Sequence, residues 1–242
     1  MRLARFYEPQ PLVVHQDIQL SDFAAHHMVH VLRGKVGDRC TLFNGEGNDY
    51  QAVVKTICKS TVWVRLLQLQ PRECESPLQV QLAQAISTRH KMDYTIQKAT
   101  ELGVSSIAPL ITRRSLPLGA KHMQTRWQHW HRVMISACEQ CGRNRLPVLH
   151  PVMPLNDWLR RVTAELRLLL YHRSPKSLHH YALDVTQSIV LLIGAEGGLD
   201  GAEMQRAQHF NFQPIVLGPR VLRTETAALT ALSILQYLSG DL

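Results

Sequence analysis

The chain has 242 residues, enough for one large domain or two small ones, and enough to bury a substantial core without disulfide or metal staples. Its 27 Lys and Arg against 19 Asp and Glu leave a net charge of +8, which points to a polyanionic partner, nucleic acid before membrane. No stretch reaches the ~18 apolar residues of a membrane span, and MRLARFYEPQ lacks the apolar core of a secretory leader. Five scattered cysteines suit a reducing compartment better than a disulfide framework, so we expect a cytoplasmic protein.

The first seventy residues or so read mostly as β-structure. Leu12, Val14, Ile18 and Leu20 fit strand alternation with a break. Residues 38–43 and 49–57 flank Asn44-Gly45-Glu46-Gly47, a hairpin signal. Thr61 to Leu69 is a further β-branched run. One helix is expected from about Asp22 to Leu32, capped by Ser21, with Ala24, Met28 and Val31 on its apolar stripe. Short strands with tight turns predict a small barrel.

Pro71 and Pro77 bracket a charged, small-residue stretch, which places a domain boundary near 71–77. Beyond it the pattern becomes α/β, with a mostly parallel sheet. Leu78 to Ile86 is a strand. Residues 88–102 are a helix with Met92, Ile96, Ala99 and Leu102 on one face and Gly103 as its stop. Ser106 to Thr112 is a strand, 122–141 a long helix, and Leu166 to Tyr171 another strand.

Two strand-loop-helix units then follow: IVLLIGAEGGLDGAEMQRA at 189–207 and PIVLGPRVLRTETAALTALSILQYL at 214–238. An apolar run without alternation predicts a strand buried on both faces. A glycine at its end lets a flat ligand approach the backbone, and ligands of open α/β sheets bind at the carboxyl ends of strands. The two loops therefore read as two walls of one pocket. Asp200-Gly201-Ala202-Glu203 is a capping box and explains part of the first unit without any ligand. It does not explain three glycines between Gly194 and Gly198. The spacing is not the G-x-G-x-x-G of a dinucleotide site. Arg220 and Arg223 precede a helix whose dipole they oppose, which asks for an anionic partner. The helix after them is apolar almost all round, so it is expected to be buried at a subunit interface.

IGAEGG with the downstream LGPRVLRTETA is similar to the paired cofactor loops of the RsmE family, bacterial 16S ribosomal RNA uridine N3-methyltransferases of the SPOUT superfamily. The family's usual form is GPEGG followed by LG-x-R-ILR-x-ETA. Ala195 stands for the usual Pro and Val221 for the usual Ile. The resemblance spans nearly the whole chain. HMVHVLR (27–33) resembles the family's N-terminal H-x-x-x-VLR, and 91–115 resembles its first α/β segment. ACEQCGRNRLP (137–147) resembles a motif written EA-x-EQS-x-R, with Cys141 in place of Ser.

The resemblance implies a PUA-like RNA-binding β-barrel over 1–72 and a trefoil-knotted SPOUT methyltransferase domain over 77–242, acting as a homodimer. It implies S-adenosyl-L-methionine as cofactor, held by Leu170, Tyr171, Gly194, Glu196, Gly197, Gly198, Leu217, Gly218, Arg220, Leu222, Arg223 and Thr224. The implied reaction is methylation of N3 of one uridine in 16S ribosomal RNA of the small subunit.

Uracil N3 must lose a proton, and the resulting anion needs stabilisation. Arg223 is the first candidate for that task and Arg143 the second, because guanidinium offers a fixed fork of donors. Glu196 is the candidate base, although a Glu there could equally cap a helix or bond the ribose. Arg33 and His27 in the first domain, with Lys91, Arg113, Arg114, Arg143 and Arg145, are candidate RNA contacts. Cys138 and Cys141 read as packing, and no metal site is expected from the histidines. Two rivals stay open: a non-catalytic RNA-binding protein with a vestigial pocket, and another SPOUT enzyme such as a transfer RNA ribose methyltransferase.

Overall fold

Alternating apolar and polar residues build the first sheet. The computed structural model describes residues 3–116, 119–181, 184 and 186–242. Its N-terminal strands are β1 (Ala4–Tyr7), β2 (Asp17–Gln19), β3 (Arg39–Phe43), β4 (Asn48–Cys58) and β5 (Thr61–Pro71), in the order β1-β3-β4-β5-β2. The β1–β3 pair is parallel and the others antiparallel. Cys40, Leu42, Ala52, Val54, Val62, Val64 and Leu66 point into one buried cluster, while Arg39, Lys55, Trp63 and Arg65 are exposed. The β3–β4 hairpin turns where the Asn-Gly signal predicts it, with Gly45 and Gly47 at positive φ.

Two local features differ from the sequence reading. Leu12 and Val14 lie outside any strand, and β1 pairs with β3 as a parallel edge. The helix expected over 22–32 is α1 (Asp22–His26), capped by the Ser21 hydroxyl, followed by a π-helical turn at His27–Val31. Two residues past that turn, Arg33 has φ 54°, and Gly34 N donates to the Met28 carbonyl at 2.9 Å. π-Turns interrupt α-helices mostly in single-turn pieces, and apolar spacing alone does not reveal one.

The chain divides into two compact units. The first comprises the residues up to Glu75 together with Cys138–Leu146; the second comprises Ser76–Ala137 and Pro147–Leu242. Within the first unit, the 138–146 segment is fastened to the sheet by buried polar contacts. Tyr7 N donates to Glu139 Oε1 at 3.1 Å, Arg5 Nη2 to the Arg143 carbonyl at 3.3 Å, and Asn144 Nδ2 to the Arg72 carbonyl at 2.8 Å.

The second unit is α/β: β6 (Val80–Ala85), α2 (Arg89–Glu101), β7 (Ser106–Ile111), α3 (Ala120–Cys141, whose last turn belongs to the first unit), β8 (Val148–Leu149), β9 (Met153–Pro154), α4 (Leu155–Leu159), β10 (Leu166–Leu170), β11 (Ile189–Ile193), α5 (Gly201–His209), β12 (Gln213–Ile215) and α6 (Thr224–Ser239). The sheet runs β12-β10-β11-β6-β7-β8, with β9 also on β7, and every pair is parallel. All five residues of β11 are buried, as the unbroken apolar run predicts. Gly103 ends α2 at φ +77°, and Asp200 and Glu203 form the expected capping box of α5. Among the described residues no helix is long and apolar enough to cross a membrane.

Candidate cofactor site

Three adjacent strands, β12, β10 and β11, end side by side, and the loops that leave them wall one pocket. Its lining comes from Leu170–His172, Ile193–Gly198, Ile215–Leu217, Arg220–Leu222, Thr224 and Ala227. Glycine shapes the first wall. A Cβ on Gly194 would lie 2.7 Å from the Gly198 carbonyl carbon, so the loop closes on itself only without one. Gly198 N donates to the Ala195 carbonyl at 2.8 Å, and Gly198 has φ +71°, a conformation that L-residues other than Asn and Asp avoid.

The two walls are joined from behind. Thr224 Oγ1 donates to the Gly194 carbonyl at 2.7 Å and accepts from Gln84 Nε2 at 3.0 Å. Gln84 is fully buried on β6 and also donates to the Ala85 carbonyl. On the other side, Arg114 donates to the Gly197 carbonyl, Arg113 N to Glu203 Oε1 at 2.8 Å, and the Arg113 guanidinium to Asp200 at 3.2 Å.

Glu196 faces the start of α2. Its Oε1 accepts from Thr88 N and Thr88 Oγ1, both at 3.0 Å, and lies 3.4 Å from Lys91 Nζ. Burial opposes ionisation of this carboxyl, but the Thr88 donors and the Lys91 ammonium outweigh it and hold the pKa below the ordinary value. A carboxylate so held is a weak proton acceptor. Its observed contacts cap α2, the alternative that the sequence left open.

The pocket gathers Leu170, Tyr171, Gly194, Glu196, Gly197, Gly198, Leu217, Arg220, Leu222 and Thr224 from the expected cofactor set. Gly218 and Arg223 are exposed and are not among its wall residues. Arg223 is the N-cap residue of α6, and its guanidinium has no hydrogen bond or ion pair among the described residues. The sequence reading missed His172, Ile193, Ile215, Val216 and Ala227, and counted Ala195 and Val221 only within the loop backbone. Ile215 and Val216 follow from the rule that strand ends build such sites; nothing in the sequence marks His172.

The expected RNA contacts meet different fates. Lys91 lies between Glu196 and Glu225, and Arg113 and Arg114 brace the glycine loop. Arg143 corrects the reading most sharply. It is 5% exposed and ion-paired with Glu75, so it presents no free guanidinium either to RNA or to a reacting base. It also belongs to the first unit, whereas the pocket belongs to the second. Arg145 is exposed and lies against Gly47. His27 is half-buried with its ring edge-on to Phe6 at 5.7 Å, a packing contact, and Arg33 is exposed.

A cleft walled by backbone and apolar side chains, with a few polar groups at its rim, suits a flat ligand with polar edges. The residues present fit S-adenosylmethionine: Gly197 and Gly198 carry no side chain into the cleft, and Glu196 makes all its Thr88 and Lys91 contacts through one oxygen.

Comparison with known proteins identifies the class. Residues 74–236 match the RNA methyltransferase domain, and residues 20–67 match the RNA methyltransferase PUA domain. The chain is 33% identical to ribosomal RNA small subunit methyltransferase E of Buchnera aphidicola, covering 100% of this chain and 98% of that one. It is 30% identical to the Bacillus subtilis protein of that name, covering 89% and 90%. A Legionella pneumophila methyltransferase solved with bound cofactor SAM superposes with a TM-score of 0.97 at 40% identity over the full length of both chains. The Neisseria gonorrhoeae ribosomal RNA small subunit methyltransferase E bound to S-adenosyl methionine gives 0.92 at 35% identity, over 99% of both. The chain belongs to the ribosomal RNA small subunit methyltransferase E family.

Proposed function

We propose that the protein is an S-adenosylmethionine-dependent methyltransferase that methylates N3 of a uridine in 16S ribosomal RNA of the small subunit. The pocket at the ends of β10, β11 and β12, in a chain of this family, carries the reading. The cofactor, when bound, supplies an electrophilic methyl carbon. The protein's own groups bind, orient and neutralise. Backbone groups of 194–198 and 215–222 hold the cofactor edges, and the Thr224–Gly194 hydrogen bond fixes the two loops relative to each other. Arg223, lacking a carboxylate partner among the described residues, stabilises the anion spread over N3 and the two uracil carbonyl oxygens. Glu196 is assigned to positioning, because Thr88 and Lys91 already occupy it.

We assign RNA gripping to the first unit and methyl transfer to the second, with a knotted topology, a homodimeric state and a cytoplasmic location as parts of the same reading. Mapping modified nucleosides in small-subunit RNA from cells lacking and re-expressing the protein tests it. Loss and return of a single N3-methyluridine is the expected result. Methylation of a ribose hydroxyl instead would overturn the base specificity. A folded protein without calorimetric S-adenosylmethionine binding would favour a non-catalytic RNA-binding role.

A further inference from the structure

The first unit's sheet has two faces, and only one is its core. Strand pairing aligns Arg39 with Val53, Val53 with Arg65, and Arg65 with Asp17, a row across four strands on the side away from the buried cluster. Trp63, two residues before Arg65, is paired with Thr56 and Gln19 and is 40% exposed. A second row runs Thr41, Gln51, Gln68, and beyond it Arg72 keeps 45% of its side chain exposed at the rim of a shallow cavity.

Charge on this face is lopsided. Its carboxylates Asp17 and Asp49 are each held bidentate, by Arg65 at 2.7 and 2.9 Å and by Arg5 at 2.5 and 3.0 Å, and Arg72 shares Asp49 at a longer 3.7 Å. Arg39 and Lys55 have no carboxylate within ion-pair distance among the described residues. A large aromatic ring standing exposed among cations, amides and hydroxyls is costly to leave in water and is not a dry protein–protein patch. Its chemistry fits an unpaired base stacked on the ring, with the backbone phosphates on the arginines and lysine. A duplex offers no such base, because its bases are already stacked.

We propose that this outer sheet face binds a single-stranded segment of the RNA, with Trp63 as the stacking platform and Arg39, Lys55 and Arg72 as phosphate contacts. The proposal deepens the reading above and rests on it for the identity of the polyanion. The same face gives the enzyme a hold on RNA that is separate from the cofactor pocket.

Fluorescence anisotropy with a labelled oligouridylate and the full-length protein tests it. Trp63→Ala should weaken binding about tenfold and Trp63→Phe should keep most of it. Arg39→Ala with Lys55→Ala should reduce the salt slope by about two. Calorimetric S-adenosylmethionine affinity and melting temperature should stay as in the parent. Unlabelled single strand should compete and blunt duplex should not. Parental RNA affinity and salt slope in both the Trp63→Ala and the Arg39/Lys55 variants, or better competition by duplex, would overturn the proposal. If the parent binds no S-adenosylmethionine yet these losses appear, the methyltransferase reading fails and the RNA face stands.

Discussion

Thr224 Oγ1 donates to the Gly194 carbonyl across a sequence separation of 30 residues, at 2.7 Å. The hydroxyl sits in the first turn of α6 and the carbonyl at the exit of β11, so one bond joins the two loops that wall the pocket. Thr224→Val keeps the shape but removes the short bond to the Gly194 carbonyl, which keeps only a long 3.4 Å contact from Gln84 Nε2, and takes one acceptor from Gln84, which keeps the Ala85 carbonyl. Removing a buried partner costs about 1–3 kcal/mol. We expect S-adenosylmethionine affinity to fall by roughly tenfold or more with a small loss in melting temperature, and Thr224→Ser to restore affinity. Equal affinity in the Val variant, by calorimetry, would detach this bond from the site.

Gly197 and Gly198 separate steric from conformational effects. A Cβ at Gly197 would meet Arg114 Cδ at 3.0 Å and add bulk to the pocket wall, while at Gly198 it would meet nothing but would have to adopt φ +71°. Gly197→Val is therefore expected to abolish cofactor binding in a folded protein. Gly198→Ala should cost about 1 kcal/mol of stability with weaker effects on binding. Thermal denaturation and calorimetry on the pair will show whether the two effects divide this way.

Arg223 and Arg143 should also part company. Arg223→Lys retains charge but loses the fork, and single-turnover rate should drop on the order of 100-fold with cofactor affinity unchanged. Arg143→Met leaves the half-buried Glu75 carboxylate without its partner and should destabilise the first unit by about 1–3 kcal/mol, without a specific defect in the chemical step of the remaining folded protein. A near-normal rate for Arg223→Lys would move charge stabilisation to another group.

Glu139 sets a pH dependence. Burial pushes its carboxyl up to about 7; the Tyr7 N–H lowers it, Glu8 adds to the rise, and Arg5 opposes it. Because the folded-state pKa is raised, the stabilising contribution is complete below the ordinary carboxylate range and is lost as pH rises through about 7. Glu139→Gln keeps an acceptor for Tyr7 N and removes the titration. Between pH ~5 and ~8 the variant should gain on the parent by on the order of 2 kcal/mol after allowance for solvent screening. Parallel stability curves, from urea unfolding across that range, would contradict this.

Much of the fold was legible because local rules and tertiary packing agree. The Ser21 and Asp200 caps, the Asn44–Gly47 hairpin and the unbroken apolar run of β11 each satisfy their local preference in the final structure. The glycine loops were legible because close backbone approach leaves few residue types. What stayed hidden depends on distant partners. β1 is a strand because β3 lies beside it, and Glu196 is a helix cap because Thr88 is delivered to it from 108 residues away. Charge was the poorest guide. Arg143, Lys91 and Arg113 look alike in sequence, yet each is spent on a carboxylate within the protein. By contrast, the outward row led by Arg39 emerges only from strand register.

The segment 138–146 inverts the order in which the protein can be completed on the ribosome. The first unit begins at the N-terminus, yet Tyr7 N, the Arg72 carbonyl and, beyond its pair with Asp49, the Arg5 guanidinium each take a further partner from residues past 137. A nascent chain that has emerged as far as Glu75 holds the strands of the sheet but none of these closures, so the N-terminal unit must wait for the first half of its neighbour to be synthesised. The same dependence makes a fragment ending near residue 72 an incomplete module rather than a portable one, with polar groups turned outward that the intact chain keeps satisfied.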